Sequence, residues 1–178
     1  MKDKINGTNE SASRLVEYDT AIRGAYLAYI ISIDGLIKDI ISYHFCSDED
    51  KRKQFLSLIL NGKNYYTFSF GIKILQKLLS LHYQDLTERY PRLINDLDIT
   101  RKYRDWLIHS ILDTSHEFLE MNHTDRIRLI SYDDKGQANY KEVTRSEIDE
   151  RLEDCINIHF ALLDIRMEVK DRILTTTK

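Results

Sequence analysis

Apolar side chains recur at helical spacing along most of this chain. Between Ser11 and Phe45, the residues Leu15, Ile22, Tyr26, Tyr29, Ile33, Ile37 and Ile40 follow one another at intervals of three, four or seven. That pattern marks one face of a helix of roughly nine turns. Ala25, Leu27, Ile30 and Ile31 widen the apolar arc around its middle, so this helix is expected to be covered from more than one side. Ser47, with Asp50 three residues later, offers an N-cap for a second, shorter helix carrying Phe55, Leu56, Ile59 and Leu60 and stopped by Asn61-Gly62. Thr67 or Ser69 can cap a third helix with Ile72, Leu75, Leu78, Leu79 and Leu81 on its stripe. Pro91 suits the first turn of a fourth, whose face reads Leu93, Leu97, Thr100, Arg104, Ile108 and Ile111.

The pattern changes after Leu112. DTSHEFLEMNHTD reads as a loop or a frayed helix end, whereas RIRLISY is rich in β-branched residues and alternates with a period of two. DDKG is a turn signal, and QANYKEV can pair back, so a β-hairpin is expected over about residues 126–143. Thr144 and Glu147 have the spacing of a capping box. Behind it Ile148, Leu152, Cys155 or Ile156, His159 or Phe160, Leu163 and Met167 mark a last long helix. The expected architecture is mainly α: an up-down helical bundle with a small hairpin before the C-terminal helix. Its spine would be the helices near 11–45 and 145–172, within one domain over 11–172. Residues 1–10 and 173–178 are expected to be flexible.

Composition supports the helical reading, since the 178 residues include six Gly and one Pro. A chain of this length can bury a sizeable core without disulfides or metals. The net charge of -3 provides no global basic field, so any contact with nucleic acid has to come from a local patch. Cys46 and Cys155 fit no metal or redox spacing. The opening MKDKINGTNE has no apolar core, and no window is long and apolar enough for a membrane span. A cytosolic protein with reduced thiols is the expectation.

His109, His116 and His123 stand seven residues apart. On a helix that separates neighbours by about 10 Å, too far for one ion to bridge. No Gly-x-Ser-x-Gly elbow and no phosphate-binding glycine loop occurs, and neither cysteine has a local histidine partner. Basic and aromatic residues, in contrast, interleave: Arg89, Arg92, Arg101, Lys102 and Arg104 share the eighteen residues 89–106 with Tyr90, Tyr103 and Trp106. The planar fork of arginine matches phosphate through two parallel hydrogen bonds. Arg104 also falls on an apolar stripe, where a charge requires a partner, a cleft or an interface. His109 supplies a group able to give and take protons near neutrality. Five residues along a helix correspond to a rise of about 7.5 Å and a rotation of about 140°. One copy therefore does not bring both groups onto one phosphate, whereas two copies across a two-fold axis can.

Arg104-Asp105-x-x-x-His109 resembles the signature of the HEPN family, an Arg followed after four to six residues by a His, with a polar residue directly after the Arg. Its setting is also similar to many bacterial members. The motif follows the TFSFGIKILQKLL helix, and a hairpin and the TRSEIDERLEDCINIHFALLDI helix come after it. The resemblance covers about residues 11–172. It implies an α-helical bundle that dimerises, with the Arg and His of both copies lining a cleft. It also implies a metal-independent endoribonuclease without a cofactor, serving as a toxin or antiviral effector, with an antitoxin or activating partner. By the same resemblance His109 is the general base or acid at the ribose 2′-hydroxyl or leaving oxygen. Arg104 holds the scissile phosphate, Asp105 orients one of them or bonds the RNA backbone, and Arg92, Arg101, Lys102 and Tyr103 contact RNA. Some relatives have lost activity and bind a nucleotide or a partner protein, which is the alternative expectation.

Overall fold

The structure, a computed structural model, describes residues 2–61, 66–120 and 125–176, without the side chains of residues 2–9 and 176. It is mainly helical, with one small antiparallel sheet. In chain order the elements are α1 (Lys2–Phe45), α2 (Glu49–Phe55), α3 (Phe68–His82), α4 (Gln84–Arg89), α5 (Leu93–His109), β1 (Ile111–Leu112), α6 (His116–Glu120), β2 (Arg126–Tyr132), β3 (Ala138–Thr144) and α7 (Arg145–Thr176). No described helix is long and apolar enough to cross a membrane. The chain divides into two compact units, residues 1–28 with 103–153 and residues 29–102 with 154–178, so α1, α5 and α7 each contribute to both.

In the first unit the sheet has the order β1-β2-β3, both pairings antiparallel. The expected hairpin is present as β2 and β3. Ile127 and Leu129 point inward from β2, and Val143 opposite Ile127 does so from β3. With Ile22, Tyr26, Leu107, Phe118 and Ile148 they make the core of this unit. The turn closes because Asp133 Oδ1 accepts from the amides of Lys135 and Gln137 at 2.9 and 2.8 Å. Gly136 then takes φ +75°, a conformation that side chains disfavour. The capping box is reciprocal: the Thr144 amide donates to Glu147 Oε2 at 2.8 Å, and the Glu147 amide donates to Thr144 Oγ1 at 3.2 Å.

The sheet has a strand that the sequence pattern does not reveal. Ile111, expected on the face of the fourth helix, belongs instead to β1 and pairs with Ile130 of β2. The helix stops at His109 because Ser110 Oγ turns back to the Trp106 carbonyl at 2.7 Å, and the Asp113 amide extends the ladder to Arg128 O at 2.8 Å. The stretch DTSHEFLE, read as a loop or a frayed end, includes the short helix α6. Beyond the expected Ser11, α1 reaches back to Lys2.

The second unit is built around Ile30, Ile33, Leu36, Ile37, Ile40 and Ile41 of α1. Also buried here are Ile72, Leu75, Leu78 and Leu79 of α3, Leu93 and Leu97 of α5, and Ile158, Leu162, Ile165 and Val169 of α7. Thr67 caps α3 as expected, accepting from the Phe70 amide at 3.2 Å. The cap of α2 is Asp48 rather than Ser47, its carboxylate accepting from the Lys51 amide at 2.8 Å where negative charge suits the helix dipole. Residues 56–60 continue α2 as a π-helical segment, with the Asn61 amide bonding the Leu56 carbonyl at 2.8 Å.

Several residues assigned to buried faces lie outside them. Leu81, Ile108, Phe160 and Met167 are exposed. On α7 the buried face follows Cys155, Ile158, Leu162, Ile165 and Val169, about a third of a turn away from Ile156, Leu163 and Met167. On α5 Leu107 takes the buried place expected of Ile108.

Candidate active site

The buried stripe of α5 runs through Leu93, Leu97, Thr100 and Leu107, and Arg104 occupies the same stripe between the last two. Its side chain keeps 25% of its surface exposed, which is possible because Asp105 receives the charge. The guanidinium donates from Nε and Nη2 to Asp105 Oδ1 at 3.0 and 2.5 Å. A pair this open to solvent contributes about 0–1 kcal/mol to folding, so it orients the guanidinium more than it stabilises the helix. His109 stands exposed in the last turn of α5, with no hydrogen bond or ion pair to another described residue.

The turn that presents His109 is held from α1. Arg23 donates from Nη1 to the carbonyl of Leu107, placing a cation at the negative end of the α5 dipole. Arg23 Nε is in turn fixed by Asp19 Oδ2 at 2.8 Å. Asp19 is buried, and its Oδ1 has no hydrogen-bond partner. Local sequence gives no sign of this brace, because its members lie 84 residues apart.

An aromatic run extends outward from the core beside Arg104. The Tyr26 ring meets Tyr103 edge-on with centroids 5.1 Å apart, and Tyr103 meets Trp106 at 5.4 Å. Lys141 of β3 sets its ammonium 4.5 Å from the centre of the Trp106 ring, and Arg151 of α7 lies 5.8 Å from that of Tyr103. Trp106, Lys141, Arg151 and Arg23 are absent from the set of site residues that the sequence suggests.

Those suggested residues fall into two groups. Tyr103, Arg104, Asp105 and His109 belong to the first unit, and Arg92, Arg101 and Lys102 to the second. In the second unit Asp98 gathers two cations, Lys102 at 2.7 Å and Arg101 at 2.8 Å, whose hydrogen bonds hold its carboxyl below the ordinary value. Arg92 lies 3.4 Å from Asp96. His116 is 3.5 Å from Glu120, and His123 falls outside the described residues. Among the described residues no group of three His, Cys, Asp or Glu side chains is gathered as a metal site requires. Comparisons of this chain with protein-family models, with characterised proteins and with solved structures give no match.

Proposed function

We propose that this chain is a metal-independent endoribonuclease of the HEPN type, a cytoplasmic homodimeric up-down bundle in which Arg104 and His109 of two copies line one cleft. The observation that supports this reading best is the end of α5, where a half-buried guanidinium oriented by Asp105 precedes an exposed imidazole by five residues. An anion receptor and a proton-transfer group on one helix are the two components that RNA cleavage by its own 2′-hydroxyl needs. His109 takes the 2′-hydroxyl proton, or gives one to the departing 5′-oxygen. The 2′-oxygen forms its bond to phosphorus as the phosphorus–5′-oxygen bond breaks. Arg104 compensates the charge gathering on the non-bridging oxygens. The products are a 2′,3′-cyclic phosphate and a 5′-hydroxyl. Arg92, Arg101, Lys102 and Tyr103 supply further contacts to RNA. In a cell the activity fits a toxin or an antiviral effector restrained by an antitoxin or released by an activating partner.

A second reading takes its support from Asp105. The carboxylate already occupies two donors of the Arg104 fork, as suits an inactive dimeric bundle that binds a nucleotide or a partner protein.

The test is incubation of total RNA and end-labelled transfer RNA with the purified chain in EDTA, followed by mapping of the ends. Wild type is expected to leave cyclic phosphates. His109→Ala is expected to lose a factor of about 10²–10⁴, the usual range for a general acid or base. Arg104→Ala is expected to fall comparably, and Asp105→Asn to retain cleavage by freeing the guanidinium. Absence of cleavage by a folded wild-type dimer and by Asp105→Asn overturns the nuclease reading in favour of the binding module.

A further inference from the structure

We infer that Trp106, with Lys141 beside its ring, forms a stacking subsite for an unpaired nucleobase, and that the substrate at this site is therefore single-stranded RNA. The inference rests on the ribonuclease reading for its ligand class and on a separate set of side chains for its geometry.

Trp106 is half-buried, with Tyr103 beside its ring and the Lys141 ammonium over it. That ammonium sits on Lys141, an exposed residue of the edge strand β3, at the end of a flexible four-carbon stem. An exposed cation–π contact of this kind is weak. Base stacking on an aromatic ring is stronger and tolerates any base. A base can thus displace the ammonium from the ring, and the displaced Lys141 remains close enough to meet the backbone phosphate of that nucleotide.

The ring beneath is braced for this role. Tyr103 contacts Trp106, and the fully buried Tyr26 contacts Tyr103, so the run is anchored in the core of the unit and ends at the surface. Arg151 adds a second cation beside Tyr103. The carboxylate of Glu147, which lies within the field of both Lys141 and Arg151, is turned back onto Thr144 by the capping box. Arg104 is two residues before Trp106 on α5, which places a phosphate receptor in the next stretch of the same helix. A base held inside a duplex presents its edges and not its face, so this platform selects unpaired strands.

Trp106 is the sole tryptophan of the chain, and its fluorescence reports this position alone. The experiment titrates the folded His109→Ala chain, which keeps the strand intact, with short oligoadenylate and with the same strand annealed to its complement. Binding is followed in parallel by the anisotropy of an end label. Saturable quenching by the single strand and none by the duplex is expected. Trp106→Ala should weaken the single-strand anisotropy titration about tenfold or more, and Trp106→Phe should restore most of it. Lys141→Ala should leave the quenching in place and reduce the dependence of binding on salt.

Unchanged fluorescence while the labelled strand binds, equal quenching by the duplex, or no binding at all overturns the inference. Cleavage by wild type is scored separately. Quenching without cleavage by either wild type or Asp105→Asn retains the stacking site and discards the nuclease, whereas cleavage with a silent Trp106 does the reverse.

Discussion

Asp113 is 3% exposed and has Arg128 Nε 2.6 Å from its Oδ2. Burial pushes its carboxyl up, but hydrogen bonds from Ser115 and Arg128 outweigh that and leave it below the ordinary value. A folded-state value below the unfolded one gives stability that is present above about pH 4 and is lost as pH falls through the folded value. The Arg128 guanidinium lies 4.6 Å from the centre of the Phe118 ring, so the same side chain joins β2, α6 and the link from β1 to α6 that carries Asp113. Arg128→Met keeps the stem and strands the carboxylate. It is expected to lower stability by about 3–5 kcal/mol, the usual effect of removing one partner of a buried pair. Urea denaturation at neutral pH measures this loss. Adding Asp113→Asn to the variant should recover part of it. Among single residues the sequence indicated Arg104 and His109, because a charge on an apolar stripe conflicts with its surroundings. It gave no sign of Lys141 over Trp106 or of Arg23 on the Leu107 carbonyl, since each joins residues that only the fold brings together.

The elements that were legible carry their own start and stop signals. Thr67 and the Thr144–Glu147 box act within four residues of themselves, so local chemistry is enough to define them. Thr144→Ala removes the acceptor for the Glu147 amide and is expected to destabilise the chain by about 1 kcal/mol. Thr144→Ser should restore most of that, and the melting temperature distinguishes the two. The 32 residues of α7 begin at this box, directly after β3. Less legible were β1, α4 and α6, which span only two, six and five residues. At such lengths hydrophobic periodicity is not defined, and pairing or packing decides the conformation. The exposed positions of Ile108 and Met167 have a related cause. An apolar residue about 100° away from the buried face still matches a helical stripe when counted by threes and fours, and only the neighbouring elements fix which side is covered.

Mild acid, short of the range in which Asp113 is protonated, should weaken the whole molecule through a second group. His44 ends α1 in the second unit, shares a hydrogen bond of 3.0 Å with the Tyr83 hydroxyl and lies 4.7 Å from the His82 ring. Burial, with a smaller contribution from His82, lowers its pKa below the ordinary 6.5. The unfolded chain therefore takes up this proton more readily than the folded one, and stability is lost as pH falls through the unfolded value towards the lower folded one. Global stability measured at about pH 7.5 and about pH 5.5 is expected to differ less for His44→Phe than for wild type. Equal pH dependence in both proteins would show that His44 is not the group responsible.

By itself the sequence determined a mainly helical chain with two long helices, a hairpin after the fourth apolar stripe and an Arg104–His109 pair at the end of α5. Each of these is written in spacings of a few residues, where backbone geometry and capping chemistry act. The tertiary structure alone decided the third strand of the sheet, the turn of the buried faces on α5 and α7, the brace from Asp19 and Arg23, and the cation beside Trp106. These depend on contacts between residues far apart in the chain, which form only when buried apolar area and paired charges can be satisfied together.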